Sequence, residues 1–151
     1  MKYVRFILLG VIAVTIRSMA ANVPAIPNTW HLFIKVPAYT AYQSGAMDII
    51  QQDPLVWKEW HKVAYEKDQP SLHGPYRSRL LYLQIDCSKQ QVAVLRDLRY
   101  TSTGSLVSDV SADPDHPHFM GYDRTTRRLP DETIVFDLAL VHQDNTCTRA
   151  D

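Results

Sequence analysis

The stretch LLYLQIDCSKQQVAVLRDLRY, residues 80–100, shows the clearest strand pattern in the chain. Its first part alternates apolar residues, from Leu81 to Cys87, with residues such as Gln84 and Asp86. A period of two residues is typical of a β-strand, in which successive side chains point to opposite faces. We therefore predict a strand here, with Cys87 facing a hydrophobic core.

The sequence after Cys87 predicts two further strands in an antiparallel meander. A polar turn at residues 88–91 leads into a second apolar segment, which ends near Tyr100. A second turn at residues 102–105 leads into a third, which contains Leu106, Val107 and Val110. Short strands joined by tight polar turns pair with their neighbours along the chain.

Two more strands are predicted before this meander. Residues 30–36, WHLFIKV, alternate in polarity and are followed by Pro37, which cannot continue a strand ladder. Residues 39–43 form a short second strand, and Ser44 and Gly45 interrupt it.

Residues 55–65, LVWKEWHKVAY, fit both a helical face and a strand face. We interpret them as a strand, because tryptophan, valine and tyrosine are favoured on a pleated surface. This choice places Glu59 and His61 on the same face as Trp57.

The first 20 residues have the layout of a secretory signal peptide. Lys2 and Arg5 precede an apolar run over residues 6–16, and Ser18 and Ala20 occupy the cleavage positions. The run is shorter than the roughly 20 residues that span a bilayer. We therefore predict export to the periplasm or the cell surface, with no transmembrane segment in the mature chain.

The mature chain is predicted to be a single domain with no affinity for nucleic acid. Residues 21–29, which include Pro24 and Pro27, form an extended lead-in, and residues 30–151 are enough for one core. Removal of the leader takes away three of the 16 basic residues and none of the 16 acidic ones, leaving a net charge near −3. Nucleic-acid binding needs a basic excess, so nucleic acid is excluded as the partner.

The only two cysteines, Cys87 and Cys147, are predicted to form a disulfide, because an even pair in an exported protein is typical of one. The bond would close a loop of about 60 residues and restrict the unfolded chain by roughly 4 kcal/mol in the entropic model.

The segment before Cys147 is predicted to be a helix. Pro130, Asp131 and Glu132 are typical of a first helical turn, and apolar residues follow at three-to-four spacing. Alternating apolar residues from Ile134 to Leu140 leave a strand open as the alternative. The predicted fold class is therefore α+β: an antiparallel sheet of five to six strands, with a C-terminal helix packed on it and tethered by the disulfide.

A series of motifs occurs in a fixed order over residues 30–147. They are the strand beginning at Trp30, Val56-Trp57-Lys58, Ile85-Asp86-Cys87, Tyr100 before Gly104, and Pro130-Asp131 before Cys147. With the exported leader, these motifs resemble the surface-adhesin protein E family. The resemblance implies about six antiparallel strands with a disulfide-tethered C-terminal helix. It also implies a non-enzymatic surface protein that binds host matrix components such as vitronectin and laminin and, in some members, haem.

The sequence predicts neither an enzyme nor a bound cofactor. It has no G-x-S-x-G elbow, no zincin helix and no phosphate-binding loop, and only five glycines. Asp113, Asp115, His116 and His118 lie within six residues and could coordinate zinc or copper, but we favour a solvated loop within residues 111–128. As a further alternative, His61, His116 or His118 could coordinate the iron of a haem.

The predicted function is that of an exported, non-enzymatic binding module for a protein, with extracellular matrix proteins among the candidates. Arg124, Arg127 and Arg128 are the candidate partner-binding residues, because together they could contact an acidic surface. The chain could also form a homodimer, since the sequence does not specify the oligomeric state. The alternatives are a periplasmic inhibitor or accessory protein that inserts residues 113–124 into a hydrolase, and a metal or haem carrier that uses His116 and His118.

Overall fold

The computed structural model describes residues 24–113 and 115–121, which form eight β-strands and contain no helix. The strands are β1 His31–Val36, β2 Tyr39–Gln43, β3 Asp48–Gln52, β4 Leu55–Gln69, β5 Tyr76–Asp86, β6 Gln91–Tyr100, β7 Leu106–Ser111 and β8 Phe119–Gly121. Within these ranges, no helix is present that could cross a membrane. The predicted signal peptide, residues 1–20, lies outside the described residues.

All strand pairs are antiparallel and belong to one sheet, built around the long strands β4, β5 and β6. The strand order is β1-β2-β4-β5-β6-β7, with β3 paired to β4 and β8 paired to β6. Along β4, strand β2 pairs with residues 61–65 and β3 with residues 55–58. Along β6, strand β7 pairs with residues 96–100 and β8 with residues 91–93. Each side of the three long strands therefore carries two short strands placed end to end.

One face of the sheet, here called the core face, carries the main hydrophobic cluster. Trp57, Leu81, Leu83 and Ile85 are almost completely buried on it. Burial of side chains of this size stabilises a fold by about 1.5–3 kcal/mol each. Cys87 is also buried against this cluster, so its predicted inward direction is confirmed. Cys147 lies outside the described residues, and the disulfide stays a prediction.

The opposite face carries a second, smaller cluster. The rings of Trp60 and Tyr82 lie 5.1 Å apart with an interplanar angle of 35°. Trp30 and Phe119 pack against the cluster to which this pair belongs. Tyr82 points away from the core face, as its position in the alternation predicts, and is nevertheless buried. Both faces of the central strands are therefore covered, which hides part of the polar alternation expected of a one-sided sheet.

The strand interpretation of residues 55–65 is confirmed, since β4 runs from Leu55 to Gln69. Glu59 and His61 lie on the core face with Trp57, as predicted. In β1, however, the predicted alternation fails. The register shifts between Leu32 and Ile34, and the Leu32 side chain is 62% exposed. A bulge of this kind places an extra residue in one strand and changes which face the side chains before it occupy.

The predicted α+β class is wrong, because the described chain is an all-β sheet of eight strands instead of five to six strands with a helix. Strand β3 is too short and too exposed to show a period in the sequence. Strand β8 lies within residues 111–128, for which a loop without regular structure was expected. The segment from Pro130 to Cys147, on which the helix prediction rested, lies outside the described residues.

Candidate functional site

The turn between β2 and β3, residues 44–47, shapes one edge of the sheet. Gly45 has a φ of +71°, a backbone conformation that favours glycine. A Cβ atom at Gly45 would lie 2.9 Å from Cδ2 of His31, so the His31 ring would have to move to admit it. The backbone angle therefore favours glycine at this position, and any larger residue would also have to displace the exposed His31 ring. The turn brings Met47 and Asp48 alongside β4.

The carboxylate of Glu59 holds this turn against the sheet. Its Oε1 atom accepts hydrogen bonds from the Gly45 amide at 2.7 Å and from the Ser44 hydroxyl at 3.2 Å. The Glu59 side chain is only 3% exposed. Burial raises the pKa of the Glu59 carboxyl, an effect that the hydrogen bonds from Gly45 and Ser44 partly oppose. Glu59 is therefore a structural anchor for the turn.

His61 lies beside Glu59 on the core face and is fully buried. Its Nε2 atom is 3.6 Å from Oε2 of Glu59, and the Phe33 ring meets its imidazole edge-on, with centroids 6.2 Å apart. Burial lowers the pKa of His61 to about 4, so the ring is neutral at pH 7. A haem could reach this imidazole only by displacing core side chains, and His61 is therefore a poor candidate haem ligand.

A cavity of about 300 Å³ lies between the lead-in, the β2–β3 turn and the opposite face of the sheet. Trp60 and Tyr82 contribute the aromatic part of its lining, and the lead-in forms another part through two prolines and an alanine. The residues that line it are Pro24, Ala25, Pro27, Ser44, Ala46, Met47, Asp48, Lys58, Trp60 and Tyr82. Ligand sites in proteins are typically concave and mainly apolar, with a few polar groups, and this cavity is at the small end of their size range.

Two opposite charges, Asp48 and Lys58, line this cavity. They occupy directly paired positions across β3 and β4. In the part of the chain that the structure describes, neither residue forms an ion pair within 4.0 Å. Burial raises the pKa of the Tyr82 hydroxyl, and the negative charge of Asp48 raises it further. The cavity thus combines an aromatic lining with one acidic and one basic group.

A buried ion pair occupies the core face near the other end of the central strands. Arg79 donates hydrogen bonds from Nε and Nη2 to the two carboxylate oxygens of Asp97, at 2.7 and 2.8 Å. Arg99 also donates to Asp97, and its guanidinium lies 5.1 Å from the centroid of the Tyr76 ring. These groups satisfy one another inside the sheet, which gives them a structural role.

The predicted metal-binding loop is partly described. His116 Nδ1 lies 3.2 Å from Oδ2 of Asp113, while the amide of Asp115 donates to Oδ1 of Asp113 at 3.0 Å. The His116 side chain is 85% exposed. Over residues 24–113 and 115–121, no three histidine, cysteine or acidic side chains come together in a metal-ligand arrangement. Metal or haem binding through His116 and His118 stays a prediction.

The predicted partner-binding residues Arg124, Arg127 and Arg128 lie outside the described residues. No pattern in the sequence indicated the cavity. Asp48 and Lys58 are ten positions apart, and only the pairing of β3 with β4 brings them together. The short β3 gave no periodic pattern that could have revealed this pairing.

Comparisons with known proteins give a distant structural neighbour. No family model matches the chain, and no curated protein matches it. The structure of Haemophilus influenzae protein E is similar to this chain with a TM-score of 0.47 and 16% sequence identity. The match covers 83% of this chain and 89% of that one. At this level of similarity no site or function can be transferred, and membership of the adhesin E family stays a prediction.

Proposed function

We propose that this chain is an exported, non-enzymatic binding module that contacts a protein partner along strand β3. The single observation that carries the proposal is the exposure of β3. All five of its residues are exposed, and Ile49 and Ile50 are 48% and 49% exposed. Among the described residues, β3 pairs with β4 alone, so its outer edge has no strand partner there.

An unpaired edge strand offers a row of backbone donors and acceptors to another chain. Proteins usually protect such edges with charged side chains or proline. After Asp48, however, β3 carries no charge, and its sequence is Ile-Ile-Gln-Gln. An extended segment of a partner could pair with this edge, and the two isoleucines would add apolar contact area.

Two other edge strands, β1 and β7, carry charges that β3 lacks beyond Asp48. On β7, Asp109 accepts two hydrogen bonds from the Arg96 guanidinium, at 3.0 and 2.8 Å. On β1, the exposed Lys35 places a positive charge at the edge. Charges at these positions oppose pairing with another strand, because the partner would have to desolvate them. The difference favours β3 as the contact surface.

Within the described residues, one group on the core face resembles a catalytic set. Ser44, Glu59 and His61 lie together, but all three are buried. The Ser44 hydroxyl contacts Glu59, whereas a hydrolase needs its serine bonded to the histidine that takes its proton. The other donor to the Glu59 carboxylate is the Gly45 amide of the turn. This arrangement therefore stabilises the turn, and we assign no reaction to it.

The test uses the mature, oxidised protein immobilised as bait. Purified vitronectin and laminin, the ligands that the adhesin resemblance implies, are offered together with a periplasmic extract. Ile49→Lys is compared with the control Val110→Lys, which adds the same charge at an apolar position of similar exposure, 55%, on β7. A partner whose binding is lost with Ile49→Lys and kept with Val110→Lys supports the proposal.

Two other results would contradict the proposal. Binding that survives Ile49→Lys would place the contact elsewhere on the surface. Inhibition of a periplasmic hydrolase by the wild-type protein, unchanged in Ile49→Lys, would favour the alternative function of an inhibitor.

A further inference from the structure

The connections at one end of the sheet form a surface with no acidic side chain and no lysine or arginine, here called the end surface. It consists of the β1–β2 turn, residues 37–38, the β4–β5 loop, residues 70–75, and the β6–β7 turn, residues 101–105. Their sequences are Pro-Ala, Pro-Ser-Leu-His-Gly-Pro and Thr-Ser-Thr-Gly-Ser. Charged residues are depleted from the centre of protein–protein interfaces. The composition of these connections therefore suits contact with another protein.

Two contacts hold the three connections together. The amide of Glu66, just before the β4–β5 loop, donates a hydrogen bond to the carbonyl oxygen of Ala38 at 3.1 Å. In the loop, a Cβ atom at Gly74 would lie 4.0 Å from Cγ1 of Val107, so the loop passes beside the start of β7. Loops placed on a rigid scaffold in this way are common binding elements. The three connections therefore form one surface.

The β4–β5 connection projects from the sheet as a braced arm, residues 66–77. Strand β2 pairs with β4 only as far as Tyr65, and β6 pairs with β5 only from Ser78 onward. Within the arm, the Arg77 guanidinium donates a hydrogen bond from Nε to Oδ1 of Asp68 at 2.7 Å. It also donates from Nη1 to a backbone carbonyl of β4 at 3.1 Å. Arg77 thus fixes the path of β4 where its register with β5 shifts.

The tip of the arm presents a fully exposed leucine on a closed turn. The Ser71 hydroxyl donates to the carbonyl oxygen of Gly74 at 2.6 Å, and the Gly74 amide donates to the carbonyl oxygen of Ser71 at 3.2 Å. Between them, Leu72 is 101% exposed and adds nothing to the packing of the fold. Single exposed leucines are common on protein surfaces. Leu72 differs because the chain around it is already held in place, which reduces the entropy lost on binding.

We propose that the end surface docks a folded protein, with Leu72 inserted into an apolar pocket of that partner. The charged residues of the arm surround the uncharged loop and comprise two acids and two bases: Glu66, Lys67, Asp68 and Arg77. An uncharged centre with a polar rim is the usual anatomy of a protein interface. An anionic membrane or a nucleic acid would instead require a basic excess, which the arm lacks.

The end surface goes beyond the proposed contact along β3 and does not depend on it. Strand β3 pairs with residues 55–58 of β4, whereas the arm begins at residue 66 and β4 ends at Gln69. The eleven positions from Lys58 to Gln69 span up to about 35 Å at about 3.3 Å per residue. The two surfaces therefore lie toward opposite ends of β4, and substitutions can test them separately.

The first experiment places a photo-cross-linker at the tip of the arm. Mature, oxidised protein with p-benzoyl-phenylalanine in place of Leu72 is irradiated with purified vitronectin, with purified laminin and with a periplasmic extract, each in turn. We expect a discrete cross-linked protein that an excess of wild-type protein suppresses. The same excess of Leu72→Asp should not suppress it, because a carboxylate does not enter an apolar pocket.

The second experiment measures the affinity of the cross-linked protein once it is purified. Leu72→Ala should weaken its binding about ten- to hundred-fold, the range that corresponds to burial of a leucine side chain. Leu32→Ala is the matched control, because Leu32 is also an exposed leucine, at 62%, and lies on β1 outside the end surface. The control should bind as the wild type does. Urea unfolding of both variants shows that the fold is intact.

Four results would overturn the proposal. One is the absence of a competed cross-link with all three probes. Another is wild-type affinity in Leu72→Ala, and a third is an equal loss in Leu32→Ala, which would show that the end surface is not the contact. The fourth is binding to phosphatidylglycerol vesicles that is lost in Leu72→Ala, which would assign the surface to a membrane. A partner that is lost with Ile49→Lys but kept with Leu72→Ala would support the β3 contact and contradict this one.

Discussion

Acid should destabilise this protein through the buried His61, and the size of the effect follows from its pKa. The imidazole is fully buried, and its pKa in the folded protein is about 4, against 6.5 for an exposed histidine. The difference is about 2.5 pKa units, which corresponds to roughly 3 kcal/mol at 1.36 kcal/mol per unit.

The sign of this effect follows from which state binds the proton more readily. Above pH 6.5 the ring is neutral in both states, and the full contribution of His61 to stability is present. As the pH falls from 6.5 toward 4, the unfolded chain takes up a proton that the folded protein does not, and the stability is lost. Glu59 acts in the opposite direction, because its raised pKa favours proton uptake by the folded state.

The assay therefore compares wild-type protein with His61→Leu, which removes the titrating ring and keeps Glu59. Urea unfolding followed by tryptophan fluorescence gives the free energy of unfolding at pH values from 4.5 to 7.5. The wild-type curve should fall relative to the His61→Leu curve by up to about 1.4 kcal/mol per pH unit between pH 6 and 4.5. His73→Gln, at an exposed loop position, is the control and should leave the wild-type slope unchanged.

Parallel curves for wild-type protein and His61→Leu would refute the reasoning. So would an NMR titration in which the His61 ring takes up its proton near pH 6.5, since the buried environment would then not penalise the charge.

Three further predictions concern a buried ion pair, a turn glycine and the processing of the exported chain. Arg79→Met should cost about 3–5 kcal/mol of unfolding free energy, because it leaves the buried Asp97 carboxylate with less compensation, whereas the double change Arg79→Met with Asp97→Leu should recover most of that loss in urea unfolding. Gly45→Ala should lower the melting temperature more than Gly104→Ala does. Both glycines have positive φ, which costs alanine about 1–2 kcal/mol, but only Gly45 also meets a neighbouring ring; equal losses would contradict this account. Intact-mass analysis of the exported protein should show a chain that begins at residue 21 and has no free thiol, and two free thiols would disprove the predicted disulfide.

The strands that the sequence predicts correctly are those with one clear apolar face or a strong residue preference. Leu81, Leu83 and Ile85 alternate cleanly with Tyr82 and Gln84, which point to the opposite face. In β4 the alternation is obscured, since Trp60 is buried on one face and Trp57 on the other. There the preference of large and β-branched side chains for strands decided the interpretation correctly.

The rest of the fold and the cavity depend on contacts that a single segment does not encode. Residues of β3 are exposed on both sides, so no period distinguishes them from a loop. The predicted fold class depended on one segment after Pro130 and was wrong for the all-β sheet described here. The charged pair of the cavity exists only because the register sets Asp48 opposite Lys58. Register is a property of two strands together, and the pattern of one strand does not contain it.

The placement of Glu59 has a consequence for the two faces of the sheet. Its carboxylate accepts a hydrogen bond from the β2–β3 turn on the core side, and the same turn forms part of the cavity wall on the opposite face. A molecule that binds on that side and holds the turn would therefore stabilise the interior packing, and a core substitution that frees the turn would weaken the binding of that molecule. Thermodynamic linkage makes these two effects equal in free energy, so the thermal stability of the fold would report the binding of any molecule that holds the turn.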